Sequence, residues 1–163
     1  MNFGQGLSVS VFERGLEAEV IDLIVNIQAN EFHIPITASD QPDLSDIPGV
    51  YQAGCGNFWV ARHGGQVVGT IALIDIGGGT AALRKMFVHR NHRGNGTAKM
   101  LLEVLLDWAC EHRLREIYLG TTEKFLAAHR FYEKSGFDEI PKEDLPDCFP
   151  VMKVDTKFYR YQL

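Results

Sequence analysis

The sequence predicts an α/β domain with a mixed, mostly antiparallel central sheet and flanking helices. Residues 57–89 read as consecutive strands joined by glycine turns, which makes that half of the sheet antiparallel. The predicted strand 80–89, helix 96–113 and strand 116–122 then follow one another as a βαβ crossover. The two strands of such a crossover are parallel and the connection is right-handed, so the sheet is expected to be mixed.

The first third of the chain predicts one strand, one helix and a long loop. Residues 7–13 alternate apolar and polar side chains, as a half-buried strand does. Residues 15–32 carry apolar side chains at the spacing of an amphipathic helix. Residues 33–57 are rich in proline and aspartate and predict a loop with one short helix starting near Asp43 or Ser45. Loops of this length inside a compact domain tend to be functional.

The middle of the chain predicts three strands that follow one another closely. They are expected at 57–63, 66–76 and about 80–89. Gly64 and Gly65 are a strong signal for a two-residue hairpin between the first two strands, and a run of three glycines forms the next turn. These hairpins account for the antiparallel half of the sheet.

The last third of the chain predicts two helices and three strands. A helix at about 96–113 and a short apolar strand at 116–122 are followed by a second helix at about 124–135. The sequence Ser-Gly-Phe at the end of this second helix fits a glycine cap followed by an apolar residue that folds back. A final strand pair is expected near 136–140 and 151–162.

Length and composition favour one ordinary domain, residues 1–163. Apolar residues make up 45% and charged residues 23%, and no window approaches the unbroken apolar length of a membrane span. The first residues lack the basic region and apolar stretch of a signal peptide, so we expect a cytoplasmic protein without a membrane partner. The net charge of −5 has the wrong sign for a protein that mainly binds nucleic acid.

The cysteines and histidines predict neither a disulfide framework nor a metal site. Cys55, Cys110 and Cys148 are odd in number and widely spaced, without a CxxC pair. Cys110 lies in an apolar helical stretch and is expected to be a core residue. His89 and His92 are three residues apart, but at a strand end that spacing does not place both rings on one face. No metal is therefore expected.

A glycine-rich, basic turn precedes the longest predicted helix, in the sequence HRNHRGNGTAKM of residues 89–100. A helix N-terminus offers unpaired backbone N–H groups and a partial positive charge, so it can hold a phosphate. Gly94 and Gly96 leave that backbone uncovered, and Arg90 and Arg93 raise the local positive potential. The alternative is a tight turn whose arginines form a solvated surface.

Two common nucleotide loops do not match this turn. A Walker A loop needs glycine directly before lysine and a hydroxyl residue directly after it, but Ala98 precedes Lys99 and Met100 follows it. The dinucleotide fingerprint GxGxxG would need glycine in place of Lys99. A third pattern, Arg-x-x-Gly-x-Gly/Ala, is met in full by Arg93, Gly96 and Ala98.

With this loop the chain resembles the GCN5-related N-acetyltransferase (GNAT) superfamily, whose signature, here RGNGTA, holds the pyrophosphate of acetyl-CoA. A second segment, AAHRFYEKSGF at 127–137, resembles the family's other signature. Both occur in the family's order, one helix and one strand apart, and the resemblance covers about residues 7–140. It implies the GNAT-like acyl-CoA N-acyltransferase fold. It also implies transfer of an acetyl group from acetyl-CoA to an amine by direct attack.

The resemblance implies which residues bind this cosubstrate. The loop holds the pyrophosphate, and main-chain N–H groups at the end of the preceding strand pair with the pantetheine arm and the thioester oxygen. Where the family often has an asparagine that touches the cofactor, this chain has an aromatic ring, so contact there is expected to rest on packing. The implied binding residues are Met86, Phe87, Val88, Arg93, Gly94, Asn95, Gly96, Thr97, Ala98 and Phe125.

Tyr132 matches the family's tyrosine that is proposed to protonate the departing thiolate. A phenol has a pKa of about 10 and is protonated at neutral pH, while a thiol has a pKa of about 8.5, so the thiolate needs only modest help to leave. The competing interpretation is an aromatic side chain on the buried face of a helix. The resemblance therefore implies a general acid at this position.

The general base is the least determined part of the predicted site. The strand before the loop often carries a glutamate in this family, but Ala82 stands at that position. The remaining candidates are Glu31, His33, Asp40 and Asp75, of which Glu31 and Asp75 lead. An amine acceptor arrives largely protonated, so a group that accepts its proton is required.

The acceptor stays open between a small amine, a peptide N-terminus and a lysine side chain. In this family residues 31–56 would lie over the acceptor side and set substrate choice. The absence of glutamate at Ala82 favours an alternative, a catalytically weak or inactive CoA-binding regulatory module, and the presence of Tyr132 argues against it. Many family members form homodimers, and pairing through the C-terminal strand is an expectation from that resemblance.

Overall fold

The chain folds around a seven-stranded mixed sheet. The computed structural model describes residues 6–163. The strands are β1 (Leu7–Val11), β2 (Asn57–His63), β3 (Gln66–Gly77), β4 (Thr80–Val88), β5 (Glu116–Thr121), β6 (Asp138–Ile140) and β7 (Lys157–Gln162). Their order across the sheet is β1-β2-β3-β4-β5-β7-β6. Neighbouring strands are antiparallel except β4 and β5, which are parallel as the predicted crossover requires. The predicted fold class is confirmed.

Four α-helices lie among the described residues. They are α1 (Glu17–Val25), α2 (Ile47–Val50), α3 (Thr97–Glu111) and α4 (Leu126–Lys134). The prediction of a single α-helix over 15–32 is wrong in its second half, because α1 continues as a π-helical segment, Asn26–Glu31. π-helical turns are rare in proteins, and those that occur often lie at functional sites. The loop that follows holds two 3-10 turns, Ala38–Asp40 and Pro42–Ser45, before α2, where one short helix was expected.

The last strand begins six residues later than predicted. Residues 151–156 form a turn in which the Asp155 carboxylate accepts a hydrogen bond from the Met152 N–H at 2.8 Å. The Asp155 N–H donates in return to the Met152 carbonyl at 3.0 Å. This closed turn replaces strand pairing until Lys157, where β7 begins beside β5.

Helices cover both faces of the sheet, so β2 is buried on both sides. Trp59 faces one way and belongs to a large core that includes Leu101 and Leu105 of α3. Phe58 faces the other way and packs in a second core with Val20 of α1. Alternation along a strand sends successive side chains to opposite faces, so both of these aromatic residues become buried.

The longest helix among the described residues, α3, contains 15 residues. Its core-facing positions are Leu101, Leu102, Leu105 and Ala109, which recur at helical spacing. Cys110 lies on the other side of the helix and is exposed, so the expectation that it is a core residue is wrong. No helix within residues 6–163 is long and apolar enough to cross a membrane.

The parallel strands β4 and β5 pair over a short stretch and then separate. Their register runs from Thr80 opposite Glu116 to Ala82 opposite Tyr118. Beyond this point the edge of β4 that faces β5 has no strand partner in the described sheet. The separation leaves a gap near the centre of the sheet, beside residues 83–88.

Candidate active site

The gap between β4 and β5 opens into a cavity of about 500 Å³. Its walls come from the ends of both strands, the start of α3, α4, the residues after α1 and the turn before β7. We call the part beside Arg93, Gly94 and Ala98 the loop end, and the part lined by a polar set of side chains the polar end. The polar end is lined by Gln28, Gln41, Arg84, Lys85 and Asp155.

At the loop end, the start of α3 presents backbone N–H groups. The backbone of Gly96 is left-handed, with φ of 92°, and turns the chain into the helix. The first helical hydrogen bond runs from the Met100 N–H to the Gly96 carbonyl at 2.9 Å. Earlier amides of the turn therefore have no helical partner. The Thr97 N–H is used locally, since it donates to the Asn95 carboxamide at 3.3 Å.

Arg93 is held in place beside this turn. Its Nε donates to the Val88 carbonyl at 2.8 Å, which ties the side chain to the end of β4. Its two terminal nitrogens donate to both carboxylate oxygens of Glu31, one of them at 2.8 Å. The guanidinium also lies 5.8 Å from the centre of the Phe32 ring. Arg93 and Gly94 thus line one corner of the cavity, where the guanidinium is paired with Glu31.

The position of Glu31 does not suit the role of general base. Both of its oxygens are engaged by Arg93, and this hydrogen bonding holds the pKa of the Glu31 carboxyl below its usual value. A carboxylate with a lowered pKa is a weaker proton acceptor. The structure assigns Glu31 to the loop end, where it orients the arginine and offsets its charge.

Asp75 lies outside the cavity. Its carboxylate accepts hydrogen bonds from the Cys55 N–H at 3.0 Å and the Gly77 N–H at 2.9 Å, and so it caps a turn at the far end of β3. Asp75 stands opposite Ala81, in the part of the sheet before β4 and β5 separate. The structure therefore brings neither leading candidate for the base to the polar end.

A β-bulge shapes the middle of the cavity wall. Between the pairs Thr70–Phe87 and Ala72–Arg84 the register of β4 shifts, and Lys85 adopts a positive φ of 55°. The Thr70 hydroxyl donates to the Lys85 carbonyl at 2.6 Å and supports this strained residue. Bulges redirect side chains at the edges of functional sites. Here the bulge precedes Met86, Phe87 and Val88, which line the cavity.

Tyr132 of α4 lines the cavity and is also part of the main core. Its side chain is 4% exposed and packs 5.9 Å from Tyr159 and 5.5 Å from Phe137, ring centre to ring centre. Burial raises the pKa of the Tyr132 phenol, so the group stays protonated across the neutral range. Within the described residues no side chain or backbone group hydrogen-bonds to its hydroxyl.

Phe125 forms an aromatic wall at the loop end. Its ring lies 4.8 Å from Phe32 and 6.1 Å from Phe87, both in edge-to-face geometry. All three rings border the cavity. The Phe125 ring offers only apolar surface to the cavity, so the expected packing contact with the cofactor at this position stays a prediction.

Side chains from three distant segments form a buried polar network at the polar end. Gln28 and Gln41 pair through their carboxamides at 2.8 and 3.2 Å. The Lys85 ammonium donates to Gln41 at 2.6 Å and forms an ion pair with Asp43 at 3.3 Å. Burial lowers the pKa of Lys85, and the ion pair with Asp43 opposes that effect. The Asp43 carboxylate also accepts from the Tyr51 hydroxyl at 2.6 Å.

Arg84 and Asp155 complete the polar end. Arg84 is half-buried and donates to the Met152 sulfur at 3.2 Å. Asp155 lies over β5, where a Cβ at Gly120 would stand 2.5 Å from its carboxylate, so only glycine leaves room for it. Burial raises the pKa of the Asp155 carboxyl, and the Met152 N–H and Arg84 oppose this. In the described part of the chain no group of three His, Cys, Asp or Glu side chains could hold a metal ion.

Sequence reasoning missed most of the polar end. Gln28, Gln41 and Asp155 carry no motif, and they come together only because the loop after α1 and the turn before β7 fold over the same gap. One weak signal was available. Arg84 and Lys85 interrupt the apolar strand that runs into the glycine loop, and two adjacent cations in such a strand are unusual.

The fold and the cavity define an acetyltransferase class. A sequence model of the Acetyltransferase (GNAT) family matches residues 21–137. These residues include both predicted signatures and the separated strands. The chain therefore belongs to the GNAT acetyltransferase family, and the predicted resemblance is confirmed.

Curated relatives and solved structures resemble the chain to different extents. N-acetylaspartate synthetase of Xenopus tropicalis is 40% identical over 100 residues, which cover 60% of this chain and 37% of the relative. The chain spans 36% to 46% of the length of the first curated relatives that it matches. A crystal structure of a GNAT-family acetyltransferase from Staphylococcus aureus Mu50 has a TM-score of 0.93 and 39% identity, over 96% of this chain and 98% of that one. An acetyltransferase from Streptococcus agalactiae 2603 has a TM-score of 0.93 and 32% identity, over 98% and 100%.

Proposed function

We propose that this protein is an N-acetyltransferase that moves the acetyl group of acetyl-CoA to a primary amine by direct attack within a ternary complex. The observation that carries this proposal is the cavity that passes through the gap between β4 and β5. Its loop end offers backbone N–H groups and an arginine, and its polar end offers buried hydrogen-bonding side chains. A cosubstrate and an acceptor that enter from opposite ends would meet between the strands.

The loop end fits the polyanionic part of acetyl-CoA. Arg93, Gly94 and Ala98 line it, and the amides around them belong to a helix N-terminus, which favours phosphate. Thr97 shapes the same turn by donating its N–H and its hydroxyl to the carboxamide oxygen of Asn95. When bound, acetyl-CoA supplies an activated thioester carbonyl.

The end of β4 is proposed to hold the arm and the thioester oxygen. Met86, Phe87 and Val88 line the cavity, and the edge of β4 toward β5 lacks a strand partner. Backbone N–H groups on such an edge can donate to a carbonyl oxygen that gains negative charge. The Phe125 ring adds an apolar wall for the arm.

Tyr132 is proposed as the general acid. Its phenol is protonated, borders the cavity and has no hydrogen-bond acceptor among the described residues, so its proton is available to a departing sulfur. This position supports the catalytic interpretation over that of a plain core aromatic, because the ring packs in the core while the residue also lines the cavity.

The acceptor is proposed to be a small molecule. The name of the relative N-acetylaspartate synthetase refers to an N-acetylated amino acid. The polar end is lined by the Gln28–Gln41 pair and by Asp155 of the turn before β7, and these polar side chains suit a small polar acceptor. Peptides and lysine analogues are included in the acceptor panel described below, so that larger acceptors are tested as well.

Two measurements on the purified chain test this proposal. Calorimetry should detect binding of acetyl-CoA and weaker or no binding of ATP and NAD. Release of free thiol from acetyl-CoA should then accelerate with at least one member of a panel of amino acids, small amines, peptides and lysine analogues. Binding without thiol release across the panel would instead support a CoA-binding regulatory module, and no binding would overturn the assignment of the loop end.

A further inference from the structure

Arg84 lacks an ion-pair partner among residues 6–163, unlike the cavity cations Lys85 and Arg93. Lys85 is ion-paired with Asp43, and Arg93 is ion-paired with Glu31. Arg84 forms no ion pair within residues 6–163, and its described side-chain contact is the Met152 sulfur, a weak acceptor. A guanidinium offers five donors in a planar fork that matches a carboxylate. A half-buried and unpaired guanidinium on a cavity wall is therefore a site for an anionic group.

Asp155 stands beside this cation with the opposite charge. Both groups converge on Met152, since Arg84 contacts its sulfur and the Asp155 carboxylate accepts from its N–H. They do not pair directly with each other. One N–H donor satisfies only part of the capacity of a carboxylate, so Asp155 can accept further hydrogen bonds from a ligand.

The two charges lie at the same end of the cavity and face the same space. Asp155 lies over Gly120 of β5, and Arg84 lies on β4 two residues beyond the last parallel pair. They therefore flank the gap from its two sides, where the acceptor would approach the thioester. A ligand with an ammonium and a carboxylate would neutralise both groups.

We propose that Arg84 and Asp155 form the acceptor site and select an amine that also carries a carboxylate, such as a free amino acid. Arg84 binds the carboxylate, and Asp155 binds the ammonium and is the general base. This inference rests on the proposed function and names its substrate class. It also replaces Glu31 and Asp75, which the structure keeps away from the polar end.

The proton balance of the step is complete. Asp155 takes one proton from the ammonium, and the freed amine forms the new C–N bond as the C–S bond of the thioester breaks. Tyr132 gives its proton to the departing sulfur and regains one from the nitrogen, which becomes the amide. Asp155 then releases its proton to water. Burial of Asp155 assists, because a raised pKa makes its carboxylate a stronger proton acceptor.

The first test compares amino acids with the matching amines that lack the carboxylate, for example L-phenylalanine with 2-phenylethylamine and L-leucine with isoamylamine, together with acidic amino acids. Thiol release should give kcat/KM about 10- to 100-fold higher for the preferred acid than for its matched amine, the range of a charge-assisted hydrogen bond. Arg84→Gln should remove this preference by lowering kcat/KM for the acid alone. Arg113→Gln, an exposed arginine outside the cavity, is the matched control and should keep the preference.

The second test separates a base from a structural carboxylate. Asp155→Asn should lower kcat for acids and amines alike by about 10²-fold or more. It should also remove the acidic limb of the pH profile of kcat/KM, which a structural role would not move. Asp147→Asn, an exposed aspartate in the preceding loop, should leave the profile unchanged. The N-acetylated acid, added without acetyl-CoA, should raise the Tm of the unmodified chain but not that of Arg84→Gln. This measurement reports binding and does not require turnover.

The outcomes distinguish this inference from the function on which it rests. Thiol release with amines but without preference for a carboxylate would overturn the acceptor site and leave the acetyltransferase intact. An Arg84→Gln variant that raises KM for acetyl-CoA instead of the acceptor would assign Arg84 to the cosubstrate and would also overturn it. Binding of acetyl-CoA without thiol release for any acceptor would overturn both proposals.

Discussion

The two ends of the cavity are built in different ways. The turn of the loop end comes from one continuous stretch, residues 93–98, and presents mainly backbone groups at the start of α3. The polar end comes from four separate stretches and presents only side chains, held in a network of carboxamides and charges. The loop end suits an anionic group, which helix N-termini in general can bind, whereas the polar end suits only a ligand that matches its particular side chains.

This difference teaches where specificity lies in the molecule. Backbone amides cannot change with the sequence, so the loop end suits a cosubstrate that does not vary. Side chains can change one at a time without disturbing the sheet, so the polar end can be adapted to a particular acceptor. The buried network of Gln28, Gln41 and Lys85 also gives the polar end a fixed shape, because each partner would be costly to leave unsatisfied.

The largest expected effect lies where the two ends meet. Tyr132→Phe should lower kcat by about 10²- to 10⁴-fold while acetyl-CoA still binds. The free energy of unfolding of this variant should equal or exceed that of the unmodified chain, because the lost hydroxyl has no hydrogen-bond partner among the described residues. Steady-state kinetics and urea unfolding check the two parts. A large loss of stability with little change in kcat would make Tyr132 a core residue only.

A second prediction concerns the loop end alone. Gly94→Val should weaken acetyl-CoA binding by about tenfold or more, because a side chain would cover the backbone amides that are proposed to bind phosphate. Gly78→Val is the matched control, since both glycines have positive φ, 76° and 65°, and open space around them. Both variants should lose similar stability from backbone strain. Calorimetry should find weakened binding only in the first variant, and equal weakening in both would contradict the assignment.

A third prediction tests whether Glu31 belongs to the loop end or to catalysis. Glu31→Gln removes the negative charge that offsets Arg93, so KM for acetyl-CoA should fall by about two- to fivefold, the size of an exposed ion pair. The value of kcat should change by less than about tenfold. If Glu31 were the base, kcat would fall far more and the KM would not improve. Initial rates at varied acetyl-CoA distinguish these results.

The smallest expected effect is a gain in stability at the polar end. Burial raises the pKa of Asp155, so the folded chain holds this proton more tightly than the unfolded chain. The contribution of such a group to stability is full below its unfolded pKa and is lost as the pH rises through its folded pKa. At neutral pH Asp155→Asn should therefore raise Tm by about 1 to 4 °C.

The difference in Tm between the variant and the unmodified chain should shrink as the pH falls below the ordinary aspartate pKa of about 3.9, because the unfolded chain then also takes up the proton. Melting curves at several pH values check this dependence. An Asp155→Asn variant that is less stable at neutral pH would mean that the carboxylate is stabilising. Its burial would then serve the turn before β7 and not the proposed chemistry.

The sheet and the loop end could be predicted because their signals are local. Glycine pairs mark hairpins, apolar spacing marks α3, and the pattern of Arg93, Gly96 and Ala98 lies within six residues. Predicted strands and helices mostly match the structure within a few residues. The exceptions, such as the π-helical end of α1 and the late start of β7, depend on contacts with other segments.

The sequence by itself determined the mixed α/β sheet, the family and the glycine-rich turn at the start of α3, because each of these is encoded by residues that are neighbours along the chain. Only the tertiary structure decided which side chains share the polar end. It paired Glu31 with Arg93, kept Asp75 at a turn outside the cavity, and brought Asp155 over Gly120, facing the same gap as Arg84. The physical reason is that β4 and β5 separate, and the distant segments that fold over this gap have no spacing that a reader of the sequence could recognise.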